Sequence, residues 1–259
     1  MLNANYTLIG NIIFFISIYL LYKLIKHTEG KKVKKKYKVI ENNNNATTNY
    51  YQETYYLSTH IDYNAVINDT GRYGEYLIFD YLKYYEREGG RFLFNCYLPK
   101  YNNETTEIDV MLICRNGIFV FESKNYSGWI FGNENSKYWT QTLPISKGRS
   151  QKNTFLNPIM QNNLHVRTLR NIIGQTMPIY SIIVFSERCT LKTDIEVNNI
   201  DTFITKRNEL QSLISQICRL HISSITQEEI MSIYNKLYPY TQVTEEVKQR
   251  HIQNIHNDI

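Results

Sequence analysis

Cysteine is sparse and badly spaced for metal or redox chemistry. The four thiols, Cys96, Cys114, Cys189 and Cys218, form no C-x-x-C pair, and no histidine completes a zinc-finger spacing with them. A structural zinc site is excluded on that pattern, and free thiols in a reducing cytosol are expected. Glycine-rich phosphate loops of the P-loop or Rossmann type are also missing, which excludes those two nucleotide-binding designs. No internal repeat occurs. Hydrophobic content of 42% and charged content of 20% exclude a wholly disordered or collagen-like chain. With 259 residues the chain can bury a full core, as one ordinary domain with something added.

Charge is unevenly placed. No charged side chain occurs from Met1 to Tyr22, and Glu29 is the one acid between Met1 and Lys38, beside eight lysines (23, 26, 31, 32, 34, 35, 36 and 38). The whole chain holds 29 Lys and Arg against 24 Asp and Glu, a net +5. Setting the segment Met1–Lys38 aside leaves 21 against 23, a net −2. A basic total invites a nucleic-acid or anionic-membrane partner, but here the excess lies wholly in the first segment.

The apolar run from Leu8 to Tyr22 continues past Lys23 to Leu24 and Ile25. About 18 to 20 helical residues suffice to cross a bilayer core. A cleaved signal peptide is the competing reading, but the positive n-region and the small-residue cleavage site are missing. All the positive charge follows the run. The positive-inside rule then predicts a single-pass protein of the cell membrane, with its N-terminus outside and its soluble part cytoplasmic. The stretch Lys31–Lys38 is either a plain stop-transfer flank or a site for anionic headgroups. Residues 1–26 read as a transmembrane anchor and 27–66 as a basic and Asn/Tyr-rich linker.

Beyond the linker the pattern is α/β. Asp69 and Thr70 can cap a helix that begins near Arg72, with Ile78, Tyr81, Leu82 and Tyr85 as its apolar stripe and Gly89-Gly90 as its end. Phe92–Leu98, Ile108–Cys114 and Ile118–Glu122 read as strands, the last two joined by a hairpin at Asn116-Gly117. Trp129–Phe131 and Tyr138–Thr142 suggest a second small hairpin. A helix opens at Asn157-Pro158 and stops at Gly174. Tyr180–Phe185 is a buried strand, Asp201–Ile204 a short one, and helices follow near 206–220 and 226–237, with a polar, helix-prone tail from Thr244.

Two carboxylates stand out because their strands are otherwise apolar. With Asn116-Gly117 as the turn, Arg115 pairs with Ile118, Met111 with Glu122 and Asp109 with Lys124. Side chains alternate along a strand, so 109, 111, 122 and 124 share one face, and Asp109 is a diagonal neighbour of Glu122. Such a pair can share one metal ion. Buried without partners the two acids are costly; Lys124 supplies one compensating charge and a divalent cation would supply two. Glu75 lies on the core-facing stripe of the first helix, three and seven residues before Ile78 and Leu82. It either joins the pair or serves only the helix dipole. Gln161 shares a helix face with Leu164 and Leu169 and is equally a boundary polar group.

The series Gly71–Glu75 (GRYGE), Glu107–Val110 (EIDV), Phe121–Gly128 (FESKNYSG) and Asn157–Leu169 (NPIMQNNLHVRTL), followed by Ile182–Phe185 (IIVF), resembles the nuclease-related domain family, NERD. That family is similar to the PD-(D/E)xK restriction-endonuclease-like superfamily. The resemblance covers roughly residues 67–190. It implies a restriction-endonuclease-like mixed central sheet flanked by helices, here preceded by one transmembrane helix. It further implies a nuclease domain over 67–205, with 206–259 as a C-terminal helical extension. By the same resemblance Asp109 and Glu122 match metal ligands, Glu75 a helical acid that assists them, Lys124 the lysine beside the attacking water, and Gln161 a polar residue of the following helix. The motif's proline is absent, Ile108 standing before Asp109. The implied cofactor is Mg²⁺ or Mn²⁺, which favours hard oxygen ligands, and the implied substrate is nucleic acid, DNA first.

Other features are open at this level. His165 is one turn beyond Gln161 and reads as structural. Asn125 shapes a turn or lies on the phosphate path. Trp129 and Trp139 stack on bases or cover a sheet edge. Arg149, Lys152, Arg167 and Arg170 offer a local basic patch within an acidic remainder. Two other functions compete with a membrane-anchored nuclease: a nuclease-fold scaffold that binds nucleic acid or protein without cutting, and a lipid sensor built on the polybasic segment.

Overall fold

Asp69 starts the first long helix as its sequence suggests, its carboxylate accepting from the Arg72 amide at 3.0 Å. The structure, a computed structural model, describes residues 50, 53–100, 104–146, 148–192, 201–220 and 225–257. These lie in one unit, Tyr50–Ile259. The expected membrane span, its lysine flank and the Asn run fall outside the described residues. Among the described residues no helix is long and apolar enough to cross a membrane.

The fold is mixed α/β, with sheets flanked by helices. Two short helices, α1 (Thr54–Thr59) and α2 (Tyr63–Asn68), precede α3 (Thr70–Leu82) and the single turn α4 (Tyr84–Arg87). Residues 54–66 carry no legible period, yet Tyr55 and Val66 are fully buried among Phe79, Phe94 and their neighbours. Then come β1 (Arg91–Pro99), β2 (Thr105–Cys114), β3 (Gly117–Lys124), β4 (Gly128–Phe131), β5 (Tyr138–Ser146) and β6 (Arg149–Leu156). Helix α5 (Pro158–Ile173) leads to β7 (Ile179–Phe185), β8 (Cys189–Leu191) and β9 (Thr202–Lys206). The chain closes with α6 (Leu210–Leu220), α7 (Gln227–Leu237) and α8 (Glu245–Asn257).

The larger sheet has the order β1-β2-β3-β7-β9, antiparallel through β3 and parallel from there on. Strands buried on both faces need cover on both. On one face Val110, Leu112, Phe119 and Phe121 meet Ile78, Phe79 and Leu82 of α3 and Ile214 and Ile217 of α6. On the other, Met111, Ile113, Ile118 and Val120 meet Leu169 of α5 and Ile230, Ile233 and Leu237 of α7. The smaller sheet has the order β6-β5-β4-β8. Its inner side, Ile130 and Trp139, packs on Ile159, Ile183 and Phe185, which ties the two sheets together. Strand β6 escapes sequence reading because its residues are polar and largely exposed, held by pairing with β5 rather than by an apolar face.

The hairpin register differs from expectation by one step. Cys114 pairs with Gly117, so Arg115 and Asn116 form the turn and Met111 lies opposite Val120. Gly117 is needed elsewhere: its φ is +141°, and a Cβ there would stand 2.8 Å from the Pro178 carbonyl beside β7. Asn116 instead donates to the Cys218 carbonyl at 3.0 Å. The pairing changes by two positions, so residues 111, 120, 122 and 124 keep one face. On β2 the alternation breaks at Asp109: Ile108 packs in the cluster of Met111 and Ile113, and Val110 in the cluster of the opposite face.

Candidate active site

The carboxylates meet where two strands part. The β2–β3 ladder ends at Val110 and Phe121. Past that point β2 stays with β1 as far as Thr105, and β3 stays with β7 as far as Lys124. In the opening the Ser123 amide donates to Asp109 Oδ2 at 3.3 Å, a side chain taking the place of a strand carbonyl. Lys124 Nζ donates to Glu122 Oε1 at 2.6 Å, and Glu122 is 4% exposed. His165 Nδ1, from α5, stands 3.6 Å from the other Glu122 oxygen.

Glu75 reaches this opening from the opposite layer. Helix α3 abuts the end of β3: Asn125 Nδ2 donates to the Thr70 carbonyl at 2.7 Å, and a Cβ on Gly74 would sit 2.7 Å from Ser123 Oγ. The glycine permits this approach, and the next residue is carried to the edge of the gap. Burial, then Glu107 and Asp69, push the Glu75 carboxyl up to about 8. Burial raises Asp109 well above the carboxylate range, and Glu122, Glu75 and Glu107 push it further, with Lys124 opposing. Burial works against the Lys124 ammonium, but Glu122 outweighs it and the net direction is upward. Lys124 therefore stays a cation at neutral pH. Burial lowers His165 despite the pull of Glu122, so its ring is neutral.

Asp109, Glu122 and Lys124 thus come to one opening, with Lys124 in contact with Glu122, and Glu75 lies near enough to perturb Asp109. Gln161 sits one turn before His165 on α5, its Oε1 buried without a hydrogen-bond partner. Asn162 fixes that helix, donating to the Val120 carbonyl and Ser181 Oγ, each at 2.9 Å.

Sequence reading passes over four contributors. Glu107 lies on the same face of β2 as Asp109, its carboxyl raised by burial and by Glu122 but held down by the Tyr97 hydroxyl. His251 of α8 touches it: Nδ1 is 3.1 Å from Thr105 Oγ1, and Nε2 is 3.6 Å from Glu107 Oε2. No local signal ties residue 251 to residue 107. Arg207, 3% exposed, donates to Asn125 Oδ1 at 3.2 Å and to Glu187 at 2.7 Å. Arg188 donates to the Asn125 carbonyl at 2.9 Å. Two guanidiniums thereby lock the residue that follows Lys124. Only the basic pair Lys206-Arg207 before a helix could have flagged Arg207. Trp139 is fully buried and stacks on Phe185, whereas Trp129 is exposed.

The donor set suits a divalent cation in kind. Hard carboxylate oxygens converge beside one ammonium, burial and then neighbouring acids raise the proton affinity of Glu75 and Asp109, and Gln161 Oε1 is an acceptor without a donor. In number the side chains stand short of a site: among the described residues no group of three or more His, Cys, Asp or Glu is gathered closely enough to hold a metal. Lys124 occupies one of the two Glu122 oxygens.

Comparison with known proteins adds three findings. Residues 70–186 match the sequence model of the family described as the nuclease-related domain, NERD. The chain is 29% identical over 187 residues to a protein of Bacillus anthracis described as uncharacterized, a match spanning 72% of this chain and 84% of that protein. No solved structure matches the chain.

Proposed function

We propose, from the match of residues 70–186 to the nuclease-related domain family, that the protein is a metal-dependent nuclease that hydrolyses phosphodiester bonds, in DNA, at the inner face of a membrane. The observation that carries the reading is the convergence of Asp109, Glu122 and Lys124 at the parting of β2 and β3, with Glu75 brought up by α3.

Asp109 and Glu122, helped by Glu75, would hold Mg²⁺ or Mn²⁺. The bound ion would polarise the phosphate and make a bound water more acidic. The protein's own residues do the rest. Lys124 stays charged and, released from Glu122, offsets negative charge growing on the phosphate or orients the attacking water. Neutral His165 and Gln161 line the α5 side, where Gln161 Oε1 can accept from that water. The membrane assignment rests on the uninterrupted apolar run before Lys23 and the lysines behind it.

The test is cleavage of plasmid and linear DNA by the full chain in detergent micelles, with Mg²⁺, Mn²⁺ or EDTA. Cleavage should need the ion and fall by at least about 100-fold in both Asp109→Ala and Lys124→Ala, the usual scale for removing an electrostatic stabiliser. Activity surviving both substitutions overturns the reading. A second reading, a nuclease fold that binds without cutting, draws on the Lys124–Glu122 contact and the −2 balance beyond Lys38. Calorimetry separates the two: no divalent-ion binding, or binding untouched by Asp109→Ala, favours the scaffold.

A further inference from the structure

The outer face of the smaller sheet carries chemistry the proposed site does not use. Trp129 and Phe131, alternate residues of β4, are 43% and 42% exposed, while Ile130 between them is fully buried. Two large aromatic side chains therefore point outward from a well-anchored strand. The register extends the face. Trp129 pairs with Thr142 and Thr142 with Lys152, so one cross-strand row runs from an exposed indole to an exposed ammonium two strands away. Phe131 pairs with Thr140, and Tyr138, 37% exposed, is its diagonal neighbour. Lys137 Nζ lies 5.0 Å from the Tyr138 ring centre.

Charge on this sheet runs against the chain's balance. Strands β4, β5, β6 and β8 contain no Asp or Glu, and they carry Arg149 and Lys152. From Asn125 to Pro158 one acid, Glu134, faces four bases. Outward aromatic rings with interspersed cations and no carboxylates on the strands match a polyanion with exposed planar bases. Duplex DNA hides its bases in the stack, so the fit is to an unpaired strand. Trp129 follows Lys124 by five residues, hence lies within about 18 Å of it even fully extended.

We propose that this face binds single-stranded nucleic acid, with bases stacked on Trp129 and Phe131 and phosphates met by Lys152 and Arg149. The choice of nucleic acid as occupant rests on the nuclease reading; the choice of single strand rests on the face itself. Under the nuclease reading, the substrate would carry an unpaired segment beside the cleaved bond.

The test uses the full chain in detergent micelles with EDTA, so that no cleavage intervenes, and an oligothymidylate of about 15 nucleotides as the probe. Tryptophan fluorescence should be quenched on binding, and a duplex of the same length should bind at least tenfold more weakly. Trp129→Ala with Phe131→Ala should weaken oligothymidylate binding at least tenfold at unchanged melting temperature, since both side chains are exposed. Lys152→Gln should flatten the salt dependence by about 0.7 in log–log slope. Binding unaffected by the aromatic double variant overturns the proposal, as does equal affinity for the duplex. So does tighter, Trp129-dependent binding to phosphatidylserine vesicles, which would make the face a lipid surface. A native chain that binds the oligonucleotide through Trp129 but cleaves no DNA with Mg²⁺ or Mn²⁺ would sink the nuclease reading alone.

Discussion

At the residue scale the site is a balance of too many acids and one base. Glu75 is the clearest case. Burial and neighbouring acids raise it from an ordinary 4.5 to about 8 in the folded chain. The folded state therefore holds a proton that the unfolded state has lost between those values. The stability this gives is complete below the ordinary carboxylate range and disappears as pH rises through about 8. Glu75→Gln, which cannot titrate, should gain on the native chain as pH rises from 5 to 9 in EDTA. The gain expected at pH 9 is at least about 2 °C, the shift that 1 kcal/mol produces in a domain of this size. Thermal unfolding followed by circular dichroism measures it; parallel pH curves would show that Glu75 titrates normally. A second residue-scale case lies away from the site. A hydrogen bond from Cys114 lowers the Cys218 thiol to about 7 against the effect of burial, and Tyr85 helps from 3.8 Å. Burial keeps Cys96 and Cys189 above the ordinary thiol value. Because the thiolate is the nucleophile, iodoacetamide at pH 7.5 should label Cys218 first, which peptide mass spectrometry would report.

At the element scale the decisive fact is how closely α3 meets the end of β3. Gly74 has no room for a side chain: Ser123 Oγ and Asn125 Cβ stand 2.7 and 2.8 Å from where its Cβ would be. Gly74→Ala must move the helix off the strand, at about 1–3 kcal/mol, the usual cost of overpacking. It should also lose activity beyond what stability explains, because the shift carries Glu75 away from Asp109. A midpoint in urea and a cleavage rate measured on the folded fraction separate those effects. The hairpin shows what a local motif reveals and what it leaves open. Asn116-Gly117 announced a turn between two strands, and alternation gives Glu122 and Lys124 one face, but it does not carry through Asp109, where β2 changes face. The turn's true position was set by β7, since Gly117 must pass the Pro178 carbonyl. Nothing within the hairpin encodes that neighbour.

At the scale of the whole molecule the C-terminal helices belong to the structure that surrounds the site. Leu237 of α7 is fully buried against the larger sheet, and His251 of α8 rests on Tyr97, Thr105 and Glu107. Ending the chain after Thr241 would remove α8 and open the Glu107 end of β2 to water. The expected result is a lower melting temperature, by roughly 2–4 °C for each 1 kcal/mol lost, and weaker divalent-ion binding in calorimetry. Unchanged values for both would show that α8 is a passive appendage.

The sequence by itself determined the alternation of strands and helices, the shared face of Glu122 and Lys124 and the segregation of basic charge into the segment Met1–Lys38. These are local or periodic properties, written in neighbouring side chains. Only the tertiary structure decided that β2 and β3 part at Asp109, and that Glu75 arrives from the opposite layer. It likewise brought Glu107, His251 and Arg207 to the same region and turned Trp129 outward while burying Trp139. Each of these depends on contacts between residues tens to more than a hundred positions apart. Their reason is packing: the sheet must be covered on both faces, and whichever helices cover it choose which polar side chains are left at the gap.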